Sequence, residues 1–108
     1  MITFDEFKLI YESAPGEPEF EIYFYDKEKS YMIIKYNNCV SFQRCGITDG
    51  SGEIYYPNLT VLYNTELIDG ICLCDCWDDI ETIIFNSTFD LGTDDGIDDI
   101  KYVYGIEL

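Results

Sequence analysis

The sequence predicts an α+β domain, and three observations predict it. A capped amphipathic segment opens the chain, short stretches of alternating apolar and polar residues follow between turn residues, and a second amphipathic segment surrounds Trp77. The expected order is an N-terminal helix, an antiparallel meander of about five or six strands, and a second helix over about 72–85 packed on the sheet. Residues 1–108 are read as a single acidic domain, since a chain of 108 residues is close to the size at which one core is buried. No internal repeat or linker divides it.

Thr3 and Glu6 have the capping-box spacing, and Phe4, Phe7, Ile10 and Tyr11 recur at helical intervals, which predicts a helix over about 4–13. Ala14-Pro15-Gly16-Glu17-Pro18 ends it, because proline cannot continue the helical hydrogen-bond ladder. Over 19–25 the period falls to two, with Phe20, Ile22 and Phe24 against Glu19, Glu21, Tyr23 and Tyr25, as in a half-buried strand. Asp26 to Lys29 is a polar turn and Ser30 to Tyr36 the returning strand. Asn37-Asn38 turns again into a third strand, Cys39 to Arg44. The glycine-rich stretch 46–52 is expected to be the most mobile loop. Glu53 to Tyr56 and Leu59 to Tyr63 read as short strands, separated by Pro57-Asn58. In the second helix Leu73, Trp77, Ile80 and Ile84 form one stripe, with Asp75, Asp78 and Asp79 opposite. Phe89 to Ile100 reads as a polar, Asp-rich loop, and Lys101 to Leu108 as a closing strand.

Twenty-two acidic residues face six basic ones, with no histidine and one arginine, giving a net charge of −16. The apolar fraction of 47% sets the chain apart from acidic disordered segments, which lack core residues. Nucleic acids and anionic lipids are excluded as expected partners, because they require clustered Lys and Arg, and the six bases here are scattered. The acids concentrate in the second half: ten against five bases in residues 1–54, twelve against one in 55–108. Asp75, Asp78, Asp79 and Glu81 on the second helix, with Asp94, Asp95, Asp98 and Asp99 in the late loop, are therefore the candidate partner-binding residues. Carboxylates so grouped imitate phosphate spacing and accelerate encounter with a basic protein. In charge and size the chain is similar to bacterial toxin-neutralising immunity proteins and phage-type nucleic-acid mimics. That similarity implies a nuclease inhibitor, immunity protein or nucleic-acid mimic docking a basic protein. The alternative is an accessory or oligomerising domain that assembles through strand edges or tyrosines, its acidity serving solubility only.

Catalysis is not expected. Without histidine, the usual general base and the Ser-His and Cys-His nucleophile pairs are missing, and Gly50-Ser51-Gly52 is too short for a phosphate loop. No cofactor or metal is expected either. Placing Gly96 at the sixth position of an EF-hand loop puts Leu91 and Thr93 where acids belong; an irregular cation site from Asp94, Asp95, Asp98 and Asp99 is the alternative. Cys72-Leu73-Cys74-Asp75-Cys76 lacks the paired spacing of zinc and iron–sulfur motifs, so buried structural thiols are expected, with Cys72 and Cys76 on one helix face and Cys74 pointing elsewhere. A redox role would need a thiol pKa lowered at the helix start, which the neighbouring carboxylates oppose. Five cysteines in a chain with ample apolar mass read as reduced thiols. Met1 to Glu6 has no secretory pattern, so the expected compartment is the cytoplasm, where the sequons at Asn58 and Asn86 would be unused.

Overall fold

A computed structural model describes residues 1–47 and 51–108. Helix α1 (Phe4–Ser13) is followed by strands β1 (Glu19–Phe24), β2 (Tyr31–Lys35), β3 (Val40–Arg44) and β4 (Ile54–Tyr56). Helix α2 (Leu59–Asn64) and the short helix α3 (Leu73–Cys76) come next, and a 3-10 turn at Trp77–Asp79 leads into β5 (Ile80–Phe85), β6 (Phe89–Asp90) and helix α4 (Asp94–Tyr104). The strands form one antiparallel sheet in the order β4-β3-β2-β1-β5-β6. The α+β class, the leading helix and the antiparallel meander are as the sequence predicts.

Both halves of the Thr3–Glu6 capping box are formed at α1. Its C-terminus has no basic residue of its own; Lys35 of β2 supplies one, donating from Nζ to the carbonyls of Tyr11 (2.8 Å) and Ala14 (3.0 Å). Phe20, Ile22 and Phe24 of β1 share a buried sheet face with Tyr31, Ile33, Val40, Phe42, Ile83 and Phe85. Helix α1 covers this face, setting Phe7 edge-on to Phe20 at 5.0 Å, and Trp77 lies 5.5 Å from the same Phe7 ring. Phe4 and Tyr63 stack at 3.6 Å, joining α1 to α2.

Three segments depart from expectation. Leu59–Asn64 is helical, not a strand: Asn58 caps it, its side-chain oxygen accepting from the Val61 amide at 2.9 Å. The second helix expected over 72–85 stops at Asp79, and 80–85 is strand β5. Ile80, Ile83 and Ile84 are β-branched, and β5 pairs with β1, where Ile83 and Phe85 gain partners in Ile22 and Phe20 that a solitary helix would not offer. The polar loop and closing strand expected over 89–108 form β6 and α4, the latter capped by Thr93 and ended by Gly105 at φ 66°. The centre of the glycine-rich loop, expected to be mobile, lies at 48–50, outside the described residues.

Candidate functional site

Asp75, Asp78 and Asp79 are all exposed on α3 and the following 3-10 turn. The Tyr25 amide donates to the Asp79 carbonyl at 3.0 Å, which brings the end of β1 alongside. Asp26 thereby joins Asp75 and Asp79 around a shallow pocket floored by Phe24 and Ile71. Asp78 and Asp5 both lie near Tyr63, whose hydroxyl pKa is raised by burial first and then by these and other neighbouring negative groups.

Asp94, Asp95, Asp98 and Asp99 are also exposed, on helix α4, where a loop was expected. Asp94 and Asp95 occupy the first turn, so the helix dipole accounts for part of their presence. Asp98 and Asp99 repeat the charge one turn later and repel them. Buried Gly96 and Ile100 point α4 at the core and leave these carboxylates to solvent.

The N-terminal residues join the two sets. Trp77 donates from Nε1 to the Ile2 carbonyl at 3.1 Å, and Met1, Ile2 and Glu6 share a cleft with Asp94. Shared pockets and neighbours thus link Asp26 with Asp75 and Asp79, Asp78 with Asp5, and Glu6 with Asp94, a string of carboxylates that makes up an acidic crescent; Asp95 and Asp99 lie on another side of α4. Glu81 stands apart from the helical face expected for it. It is the extra residue of a bulge in β5, where Phe24 pairs with Ile80 and Tyr23 with Thr82. Asp5, Glu6 and Asp26 are members the sequence does not single out, since only tertiary contact brings them to residues some 50 to 90 positions away.

Other carboxylates are occupied internally: Glu6 in the capping box, Asp90 by the Thr82 hydroxyl and the Gly92 amide, and, most fully, Asp69 and Glu53. Asp69, at φ 61°, accepts from Arg44 Nε (2.9 Å) and Nη2 and from the Tyr31 hydroxyl (2.6 Å). The guanidinium first, and then the hydroxyl, hold its carboxyl well below the usual range. Glu53 accepts from the hydroxyls of Tyr36 (2.6 Å), Ser41 (2.7 Å) and Tyr55 (2.8 Å), which lowers its pKa and, by the same hydrogen bond, pushes Tyr36 up to about 12. Arg44–Asp69 is the one ion pair among the described residues; Lys27 shares the pocket of Asp26, Asp75 and Asp79, and Lys8 a cleft with Asp5, without pairing to them.

The thiols differ from expectation. Cys74 is exposed and the other four cysteines are half-buried. Cys72 and Cys74, not Cys72 and Cys76, come together, with sulfurs 3.2 Å apart, because Cys72 is still extended (φ −121°, ψ 106°) when the helix begins at Leu73. Cys74 is pushed up to about 11 by its hydrogen bond with Cys72 first, then by desolvation and the Asp75 charge, which together outweigh any activation at the helix start. Among the described residues, no helix is long and apolar enough to cross a membrane. Comparison with protein-family models, with curated proteins and with solved structures finds no match to this chain.

Proposed function

We propose that the protein is a non-catalytic binding protein whose acidic crescent docks a basic protein partner, in the manner of an inhibitor, immunity protein or nucleic-acid mimic. One observation supports this above the others: the fold brings carboxylates from separate parts of the chain together, Asp26 with Asp75 and Asp79 and Glu6 with Asp94, while the single ion pair among the described residues lies elsewhere. Negative charge concentrated on one surface speeds encounter with a positive one and rejects like-charged competitors. Phe24, Trp77 and Ile2 are buried and anchor the segments that carry these carboxylates to the core, which lowers the ordering cost of binding.

The test pairs retention with salt. Immobilised protein is exposed at low ionic strength to lysate of its own source, and a retained basic protein is measured against the wild type and against Asp75→Asn/Asp78→Asn/Asp79→Asn. Docking through the crescent predicts a steep loss of affinity with salt, and a complex that the triple variant weakens by tenfold or more, about 1.4 kcal/mol. A complex indifferent to both changes would turn the reading toward an assembling domain whose charge keeps it soluble. The sheet offers that alternative little edge, since its outer strands β4 and β6 have three and two residues.

A further inference from the structure

We propose that Cys72, Cys74 and Asp75 form a binding site for a borderline-soft divalent cation of the zinc type. Residues two apart point away from each other on a regular helix and stand about 6–7 Å apart along a strand. Neither geometry chelates an ion. Here the backbone changes from extended at Cys72 to helical at Leu73, and the change swings the two thiols onto one side. Leu73 between them is fully buried and fastens the segment to the core. The sulfurs lie 3.2 Å apart, Cys74 Sγ is 3.8 Å from Asp75 Oδ1, and one donor atom from each of the three residues falls within 4.8 Å of the other two.

Zinc–sulfur bonds of about 2.3 Å at a tetrahedral angle separate two sulfurs by about 3.8 Å. The thiols need therefore open by only about 0.6 Å from their 3.2 Å separation, and Cys74 and Asp75 are exposed, with room to turn. Asp26, Lys27, Cys76 and Asp79 line the same pocket as Cys72 and Asp75 but stand outside the close cluster of donors, so a water would take the fourth position. Two sulfurs and a carboxylate suit zinc and not calcium or magnesium, which take oxygen donors. On binding, each thiol gives up its proton to solvent and its sulfur lone pair to the ion; no oxidant takes part. Asp75 is shared with the acidic crescent, but binding of the ion needs no partner and is measured without one.

The experiment is a titration of the reduced protein with Cd²⁺, read by the ultraviolet thiolate-to-cadmium charge-transfer band, and with Zn²⁺ by calorimetry. One ion per chain is expected. Outer partners of metal centres are worth about 10- to 100-fold in affinity, so losing a direct sulfur ligand in Cys72→Ser or Cys74→Ser should cost roughly 100-fold or more, and Asp75→Asn roughly 10-fold. Cys39→Ser/Cys45→Ser should bind as the wild type does. Because Cys74 is exposed, Cys74→Ser keeps the fold, and circular dichroism verifies this before it is used. Lack of a saturable band, a band unaltered in Cys74→Ser, or equal affinity in urea-unfolded protein would each overturn the assignment.

Discussion

Replacing Gly96 by alanine sets helix propensity against packing. Gly96 is in the first turns of α4, where alanine is favoured over glycine by about 1 kcal/mol, so propensity alone predicts a more stable protein. A Cβ at this position would lie 2.6 Å from the Asp90 carbonyl carbon and 2.9 Å from its amide nitrogen, and closer still to its carbonyl oxygen. Ordinary contacts begin near 3.4 Å, so clearing the carbonyl carbon alone takes about 0.8 Å of retreat and clearing its oxygen takes more. The obstacle is strand backbone, which cannot rotate aside. Retreat loosens Ile100, fully buried, and the edge-on contact of Tyr104 with Phe85 at 5.4 Å. Overpacking of this kind costs about 1–3 kcal/mol, and rigid backbone places the case at the upper end. After the propensity gain, a net loss of about 2 kcal/mol remains, equivalent to a fall in Tm of roughly 10 °C in a domain of this size. Urea denaturation followed by circular dichroism measures it. Gly105→Ala is the comparison: its added Cβ meets nothing within 4 Å, but φ is 66°, so the penalty of about 1–2 kcal/mol comes from backbone alone. Asn, which tolerates that conformation, should recover stability at 105, while Ser at 96 should not. A Gly96→Ala protein as stable as the wild type would refute the packing of α4 on β6.

Stability should fall at both ends of the pH scale. The Asp69 carboxyl has a folded pKa below its unfolded value near 3.9, so its contribution is complete above about pH 4 and is lost as pH drops; Asp69→Asn should flatten that limb of a urea-stability profile. Tyr11, Tyr31 and Tyr36 are raised to about 12 in the folded protein, so stability is retained up to the unfolded value near 10 and lost between roughly 10 and 12. With a net charge of −16, raising NaCl from about 10 to 150 mM shortens the Debye length from about 30 to 8 Å and should raise Tm; a falling Tm would mean that attraction, not repulsion, dominates the surface. Trp77→Phe removes the donor to Ile2 and leaves a buried carbonyl unpaired, with an expected loss of about 1–3 kcal/mol and faster proteolysis at the N-terminus.

Local chemistry made the first half of the chain legible. Thr3 and Glu6 sit at the one spacing that closes a capping box, and β1 to β4 are joined by turns that announce themselves by composition. Expectation and structure part where two periods fit the same residues. Leu59, Val61 and Tyr63 alternate as a strand would, yet Leu59 and Leu62 are what the core takes up, and Asn58 caps the helix. Tyr102, Tyr104 and Ile106 alternate likewise, but Tyr102 is 91% exposed on the outer side of α4. Leu73, Trp77, Ile80 and Ile84 fit a helical stripe by coincidence of a helical turn running directly into a strand. For the candidate site, the acid-rich strings were visible in the sequence and their joining was not. Asp5 and Asp26 reach the crescent through the Tyr25–Asp79 and Trp77–Ile2 hydrogen bonds, each spanning more than 50 residues.

The pairing of β1 with β5 bears on how the chain is made. Strands β1 to β4 pair with their sequence neighbours, so on the ribosome the meander can close once residue 56 has emerged. The far edge of β1 then waits for residues 80–85. At about 5–20 residues per second, synthesis of 57–85 takes roughly 1.5–6 s, during which a central strand stands as a bare edge. Glu19 and Glu21 lie along it, and charge on an unpaired edge discourages the strand of another nascent chain from adding there. The excess of acid thus guards the unfinished protein before it has any finished surface to present.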